Sequence, residues 1–243
     1  MDMLKKAYIS PSLNLWLYSL LLIFTPFILL QNYLQDIIGN VSKSSISLGS
    51  IDIHYSVFIF SLLVFFLIFK TRKTFSLPRA ITWLLVFVFW FIGQQTSDFY
   101  LNNEYYDLQN NWHYIAYGLF VVVAYNALSS KINNTARLIF AIFIRALLIS
   151  TFDETIQIFI SNRVFDVSDI SKDVWGAMAG MLVLFIGYKN PEVIKNTWKI
   201  SQPKIKDYFN NALSMLVILS VFSYILLAVS SLLTDSKYIV NIL

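Results

Sequence analysis

The stretch from Leu138 to Ile160 reads LIFAIFIRALLISTFDETIQIFI, and it decides the class of fold. As a helix rising about 1.5 Å per residue, it is long enough to cross a hydrocarbon core of about 30 Å. Yet it carries Arg145 near one end and Asp153, Glu154 and Gln157 near the other. Charge inside a span is costly unless it is paired or wet, so these positions mark either structural pairing or a functional site.

Composition agrees with a membrane setting. With 57% hydrophobic and only 13% charged residues, the 243-residue chain has too few polar groups to cover a water-exposed surface of its size. The 17% aromatic content suits helix interfaces and headgroup belts. There is no cysteine, which excludes disulfides, thiolate catalysis and Cys-based zinc sites. The net charge of +4 comes from basic residues in short loops rather than from a stripe, so no nucleic-acid partner is expected. Lys5 and Lys6 precede an apolar run, but no small-x-small cleavage pattern follows it, so that run is kept as a span.

Six further apolar stretches accompany the first: Leu13 to Tyr33, His54 to Phe69, Ala80 to Phe99, Trp112 to Ser129, Asp173 to Tyr188 and Ala212 to Leu233. The expectation is an all-α, polytopic membrane bundle of about seven transmembrane helices, multi-pass in a bacterial plasma membrane. Sorting charge over alternate loops puts 13 of the 18 Lys and Arg residues on one side when the N-terminus is cytoplasmic, which predicts N-in and C-out. Of the acidic residues only Asp2, Glu192 and Asp207 then lie inside, so the functional surface should face outward. The Lys-rich segment 190–211 is expected to be cytoplasmic, as a helix on anionic headgroups or a solvated linker. Ile46, Leu48, Ile51 and Ile53 in the loop from Gln35 to Asp52 suggest a short extended stretch or hairpin. No internal repeat supports a transporter built from inverted halves.

Helical spacing organises the polar residues into one cluster. Glu154 and Gln157 share a face and Asp153 points about 100° away, so Glu154 is expected to face the bundle interior. His113 and Tyr117 are four apart on a face that can meet Glu154, and Gln94, Gln95 and Asp98 offer a polar rim at the same depth. Arg163, with Asp166 and Asp169, either braces a loop or grips an anionic group. Asp169 and Asp173 sit four apart at the mouth of the sixth stretch, and Gly176 and Gly180 form a small-residue packing stripe beyond them. Arg145 is expected to be structural, pairing with a carboxylate or helix carbonyls or snorkelling.

The order of these residues resembles the VanZ-like family, bacterial membrane proteins whose founding member is tied to teicoplanin resistance. The resemblance runs from about Phe91 to Gly187. It rests on His113, Tyr114 and Tyr117, then Glu154, Gln157 and Arg163, then Asp169, Asp173, Gly176 and Gly180. Two positions depart from the family pattern: Gln109 stands where an Asp is usual, and Asp173 where an Asn is usual. The resemblance implies a VanZ-like core over 91–189, with N-terminal spans in 1–90 and a C-terminal span in 212–243 as additions.

Three functions follow from the cluster. The leading expectation is binding of a membrane lipid or lipid-linked envelope precursor by His113, Tyr117, Glu154, Gln157, Arg163, Asp169 and Asp173, with an effect on surface composition or teicoplanin susceptibility. The alternative is an acid–base hydrolase or transferase on a lipid-linked substrate, with His113 or Glu154 as the catalytic candidate. A proton-coupled transporter using Arg145 and Glu154 ranks last. No metal or other cofactor is implied, because the ligand spacing supports none.

Overall fold

The computed structural model describes residues 10–29, 32–49, 51–71, 76–96, 107–160, 165–189 and 204–235. Helices dominate: α1 (Pro11–Leu29), α2 (Asn32–Lys43), α3 (Tyr55–Thr71), α4 (Leu77–Gly93), α5 (Leu108–Leu128), α6 (Thr135–Gln157), α7 (Val167–Met181), α8 (Ile205–Asn210) and α9 (Ala212–Asp235). Each of the seven apolar stretches of the sequence overlaps one of these helices. Three helical segments, Thr135–Gln157, Val167–Tyr188 and Ala212–Leu233, are long and apolar enough to cross a membrane, and Arg79–Gly93 is a shorter apolar helix.

Among the described residues, the one exception to an all-α fold is a hairpin. β1 (Ser45–Leu48) pairs antiparallel with β2 (Ile51–His54) in the register Ser45 to His54 and Leu48 to Ile51. Gly49 enters the turn at φ 68°, a conformation glycine adopts without a Cβ penalty. The hairpin expected from Ile46, Leu48, Ile51 and Ile53 is therefore present, although Asn32–Lys43 before it is helical.

α7 is the centre of the bundle, with 83% of its apolar window buried, against 39% for α6 and 28% for α9. Around it, Phe120, Val121 and Ala124 of α5, Ile139, Ile142 and Phe143 of α6, Met178 and Met181 of α7, and Leu216 of α9 form one continuous core. Phe89 of α4 stacks on Trp175 at 4.0 Å between centroids, and the indole donates to the Phe89 carbonyl at 2.6 Å. Outward-facing Leu84 and Phe87 on α4, Leu148 and Phe152 on α6, and Val217, Val221 and Leu232 on α9 make the perimeter apolar, as a hydrocarbon solvent requires.

The helix of the sixth stretch starts at Val167 rather than at Asp173. Asp166 caps it, its carboxylate accepting from the Ser168 backbone N–H at 2.8 Å. Hydropathy places this turn in a loop because Ser168, Asp169, Ser171, Lys172 and Asp173 are polar, yet four of those five are buried within the bundle. Beyond Met181 the helix continues to Lys189 as a wider π-helical segment. There Arg79 Nε donates to the Gly187 carbonyl at 2.8 Å, tying the start of α4 to the end of α7.

The approach of α7 to α5 depends on glycine. A Cβ on Gly176 would lie 2.7 Å from Tyr114 Cα and 2.9 Å from the His113 carbonyl, and one on Gly180 would lie 2.8 Å from the Gly118 carbonyl. These are backbone contacts that cannot yield cheaply. Gly176→Ala is expected to destabilise the purified protein by about 1–3 kcal/mol, the usual range for overpacking. Gly39→Ala, where an added Cβ meets nothing within 4 Å, should be neutral or slightly stabilising. Thermal melts of both variants in detergent test the contrast.

Candidate functional site

His113 lies one and a half turns into α5, beside the residues where α7 begins. Its Nδ1 is 2.8 Å from Asp173 Oδ1, and its Nε2 is 3.6 Å from Asp169 Oδ1. The spacing of four between the two aspartates puts both on the α7 face turned to α5, so the imidazole is held between them. Asp173 Oδ2 accepts from Ser150 Oγ of α6 at 2.6 Å, which joins three helices through one carboxylate. The Asp173 carboxylate is thus the hub of the cluster.

Glu154 is the inward residue of its pair, 2% exposed, as its spacing from Gln157 predicts. Gln157 Nε2 donates to Glu154 Oε1, and the Asp166 backbone N–H donates to Glu154 Oε2 at 3.0 Å. Both carboxylate oxygens are therefore engaged in fixing Gln157 and the entry to α7. Glu154 thus ties the end of α6 to the residue that caps α7.

A cleft with about 60 Å³ of open volume lies against this cluster. His113, Tyr117, Gln157, Asp169 and Asp173 line it, together with Trp112, Asp153 and three α1 residues, Leu22, Thr25 and Pro26. Its open volume is more than a single water needs, so the cleft can admit water or a polar group. Asp153 and the α1 wall were not among the sequence candidates. Asp153 points away from Glu154 on the helix, and it is Asp153 that lines the cleft. Arg163 and Asp98 lie outside the described residues.

Other predicted groups have separate work. Gln94 is buried at the end of α4, where it donates to Asn111 Oδ1 at 3.2 Å and accepts from Asn110 Nδ2 at 3.2 Å, while Gln95 is exposed. Arg145 is exposed, and its Nη1 donates to the Ala141 carbonyl one turn back at 2.9 Å. That direction leads away from Glu154, so no charge relay connects the two. Lys172, assigned to an outer loop by hydropathy, is instead a wholly buried residue of α7. Among the described residues, no three of His, Asp and Glu are grouped so that they could hold a metal ion.

The sequence profile of VanZ/LLP1 matches residues 53–188, more than half of the chain. The chain belongs to the VanZ/LLP1 family. No curated protein and no solved structure matches it. The VanZ/LLP1 match contains α3 to α7, and so every residue of the His113 cluster, whereas α1 and its wall of the cleft lie outside it.

Removing the hub should be felt more than removing its outer partner. Asp173→Ala leaves the His113 imidazole and the Ser150 hydroxyl without their acceptor and is expected to cost about 1–3 kcal/mol. Asp169→Ala, whose carboxylate lies beyond hydrogen-bond distance of the imidazole, should cost less. Denaturation in mixed micelles orders the two.

Proposed function

We propose that this VanZ/LLP1 protein binds the polar headgroup of an envelope lipid or lipid-linked precursor, and through it alters surface composition and teicoplanin susceptibility. The observation that carries this reading is the cleft where α1, α5, α6 and α7 meet, polar at helix ends and surrounded by an apolar perimeter. A polar cleft at helix ends within an apolar perimeter suits a headgroup whose acyl chains stay in the bilayer. His113, oriented by Asp173, is the central contact, with Tyr117, Gln157 and Asp169 around it. Arg163, three residues before the Asp166 that Glu154 holds, is assigned to the same headgroup.

Seven spans with N-in and C-out topology belong to the same proposal. Segregation of charge along the bundle supports it: His113, Asp153, Glu154, Asp169 and Asp173 gather where α5 and α7 begin and α6 ends. Arg79, Lys131, Arg137 and Lys204 stand at the opposite helix ends. Because the chain has no cysteine, single-cysteine labelling reads this without background. Ser45→Cys in the hairpin is expected to react with an impermeant maleimide in intact cells, and Asn133→Cys only after permeabilisation; the reverse pattern would overturn the orientation.

A second reading is favoured by one specific contact. Asp173 holds Nδ1 of His113, a residue lining the cleft, in the arrangement by which a carboxylate orients an imidazole as general base. In that reading His113 activates water against a lipid-linked substrate. Wild type and His113→Gln, expressed at equal levels in a host lacking the protein, separate the two by mass spectrometry of extracted lipids and of lipid retained on the purified protein. Binding predicts a specific lipid retained by wild type and lost about tenfold in the variant, with an unchanged bulk profile. Conversion of one species into another by wild type alone establishes the enzyme, and the absence of any specific lipid on either protein refutes both.

A further inference from the structure

We propose that the end of the bundle opposite the His113 cleft docks anionic phospholipid, with the α5–α6 turn taking headgroup phosphates and the apolar side of α8 lying in the bilayer interface. This surface is separate from the cleft, and its assignment does not rest on the headgroup reading of the cleft. An open groove at the turn is lined by Lys131, Asn133, Asn134 and Arg137, and no Asp or Glu lines it. Lys131 and Arg137 are exposed, and among the described residues neither forms an ion pair. Lys131 Nζ donates to Ser12 Oγ at 3.1 Å, which keeps its ammonium beside the start of α1. Two cations without a carboxylate between them suit a phosphate.

α8 supplies an independent observation that points to a membrane. Ile205, Tyr208 and Phe209 share one face by their spacing of three and four, and they are 79%, 44% and 52% exposed. No residue of α8 is buried, although the helix contacts α6 and α9. Lys206 and Asn210 lie on the opposite side, and Asp207, the one acid of α8, accepts from the Lys204 backbone N–H at 2.9 Å. Bare apolar residues on one face with Lys beside them are the pattern of a helix lying in a bilayer interface. The lipid-facing band of the bundle starts within a turn or so of these cations: Leu13 and Trp16 on α1, Phe140 on α6 and Val217 on α9 are all exposed. Lys131 and Arg137 therefore stand just outside that band, at the level of phosphates and interfacial Trp. A water-borne acidic partner accounts for the cations alone, whereas an anionic bilayer surface accounts for the cations and the apolar face of α8 together.

The test uses the full chain in micelles of a neutral detergent containing equal amounts of phosphatidylglycerol and phosphatidylcholine, with native mass spectrometry counting the lipid retained. Wild type is expected to retain phosphatidylglycerol about tenfold over phosphatidylcholine, and Lys131→Gln/Arg137→Gln to weaken that retention about fivefold for each charge removed. Both side chains are exposed, so the double variant should melt near wild type. Equal retention of the two lipids, or unchanged retention in the double variant, would overturn the inference. A loss as large in His113→Gln would assign the lipid to the cleft and overturn it too, as would displacement of the lipid by an equal concentration of inorganic phosphate. The place of α8 is read in vesicles of the same two lipids, using single cysteines labelled with bimane. The label at Phe209→Cys is expected to be quenched by a nitroxide on a lipid acyl chain, and that at Asn210→Cys by aqueous iodide. Quenching of both by iodide alone would remove α8 from the interface and overturn the proposal.

Discussion

The backbone contact between α5 and α7 is the constraint on which the rest of the structure depends. Gly176 and Gly180 let α7 lie against the backbone of α5 at His113, Tyr114 and Gly118, with no room for a Cβ between them. Between helices in lipid the hydrophobic effect supplies little, and close packing of small residues takes its place. The same approach sets Asp173, one turn before Gly176, at hydrogen-bond distance from His113. The packing stripe and the functional cluster are therefore one device read at two depths.

Polar groups in this bundle are arranged so that few have a single purpose. Asp173 binds His113 with one oxygen and Ser150 with the other, while Glu154 holds Gln157 and the first turn of α7. On the far side of α7, Ser171 and Ser230 share a hydrogen bond at 2.8 Å that fastens α9. In a low-dielectric interior such bonds are retained because water is absent to replace them. Residues lining the cleft are thus hydrogen-bonded to neighbours, Ser150 and Glu154, that do not line it.

Much of this was legible in the residues themselves. Apolar runs located the helices, spacing of three and four put Glu154 with Gln157 and His113 with Tyr117, and the glycine pair announced close packing. Three things were hidden for physical reasons. Hydropathy scores a residue as if it faced lipid or water, so Ser168, Ser171 and Lys172 looked like a loop although their polarity is turned inward in α7. Periodicity relates neighbours on one helix and says nothing of which distant helix lies opposite, so the α1 wall of Leu22, Thr25 and Pro26 left no signal. Spacing separates Asp153 from Glu154 by about 100° without telling which of them meets open space, and the helix offers Glu154 to the scaffold and Asp153 to the cleft.

The buried Lys172 bears on how the chain enters its bilayer. An Asp or Lys at a helix centre costs about 2.5–3.5 kcal/mol on insertion and less toward the ends. α7 brings Asp169, Lys172 and Asp173 together in its first two turns. Alone in lipid it would be a poor guest, while α5 and α6, already synthesised, carry the His113 and Ser150 that receive Asp173. Membrane integration of α7 is thus coupled to its partners: the helix that is most central in the finished bundle is the one least able to arrive first.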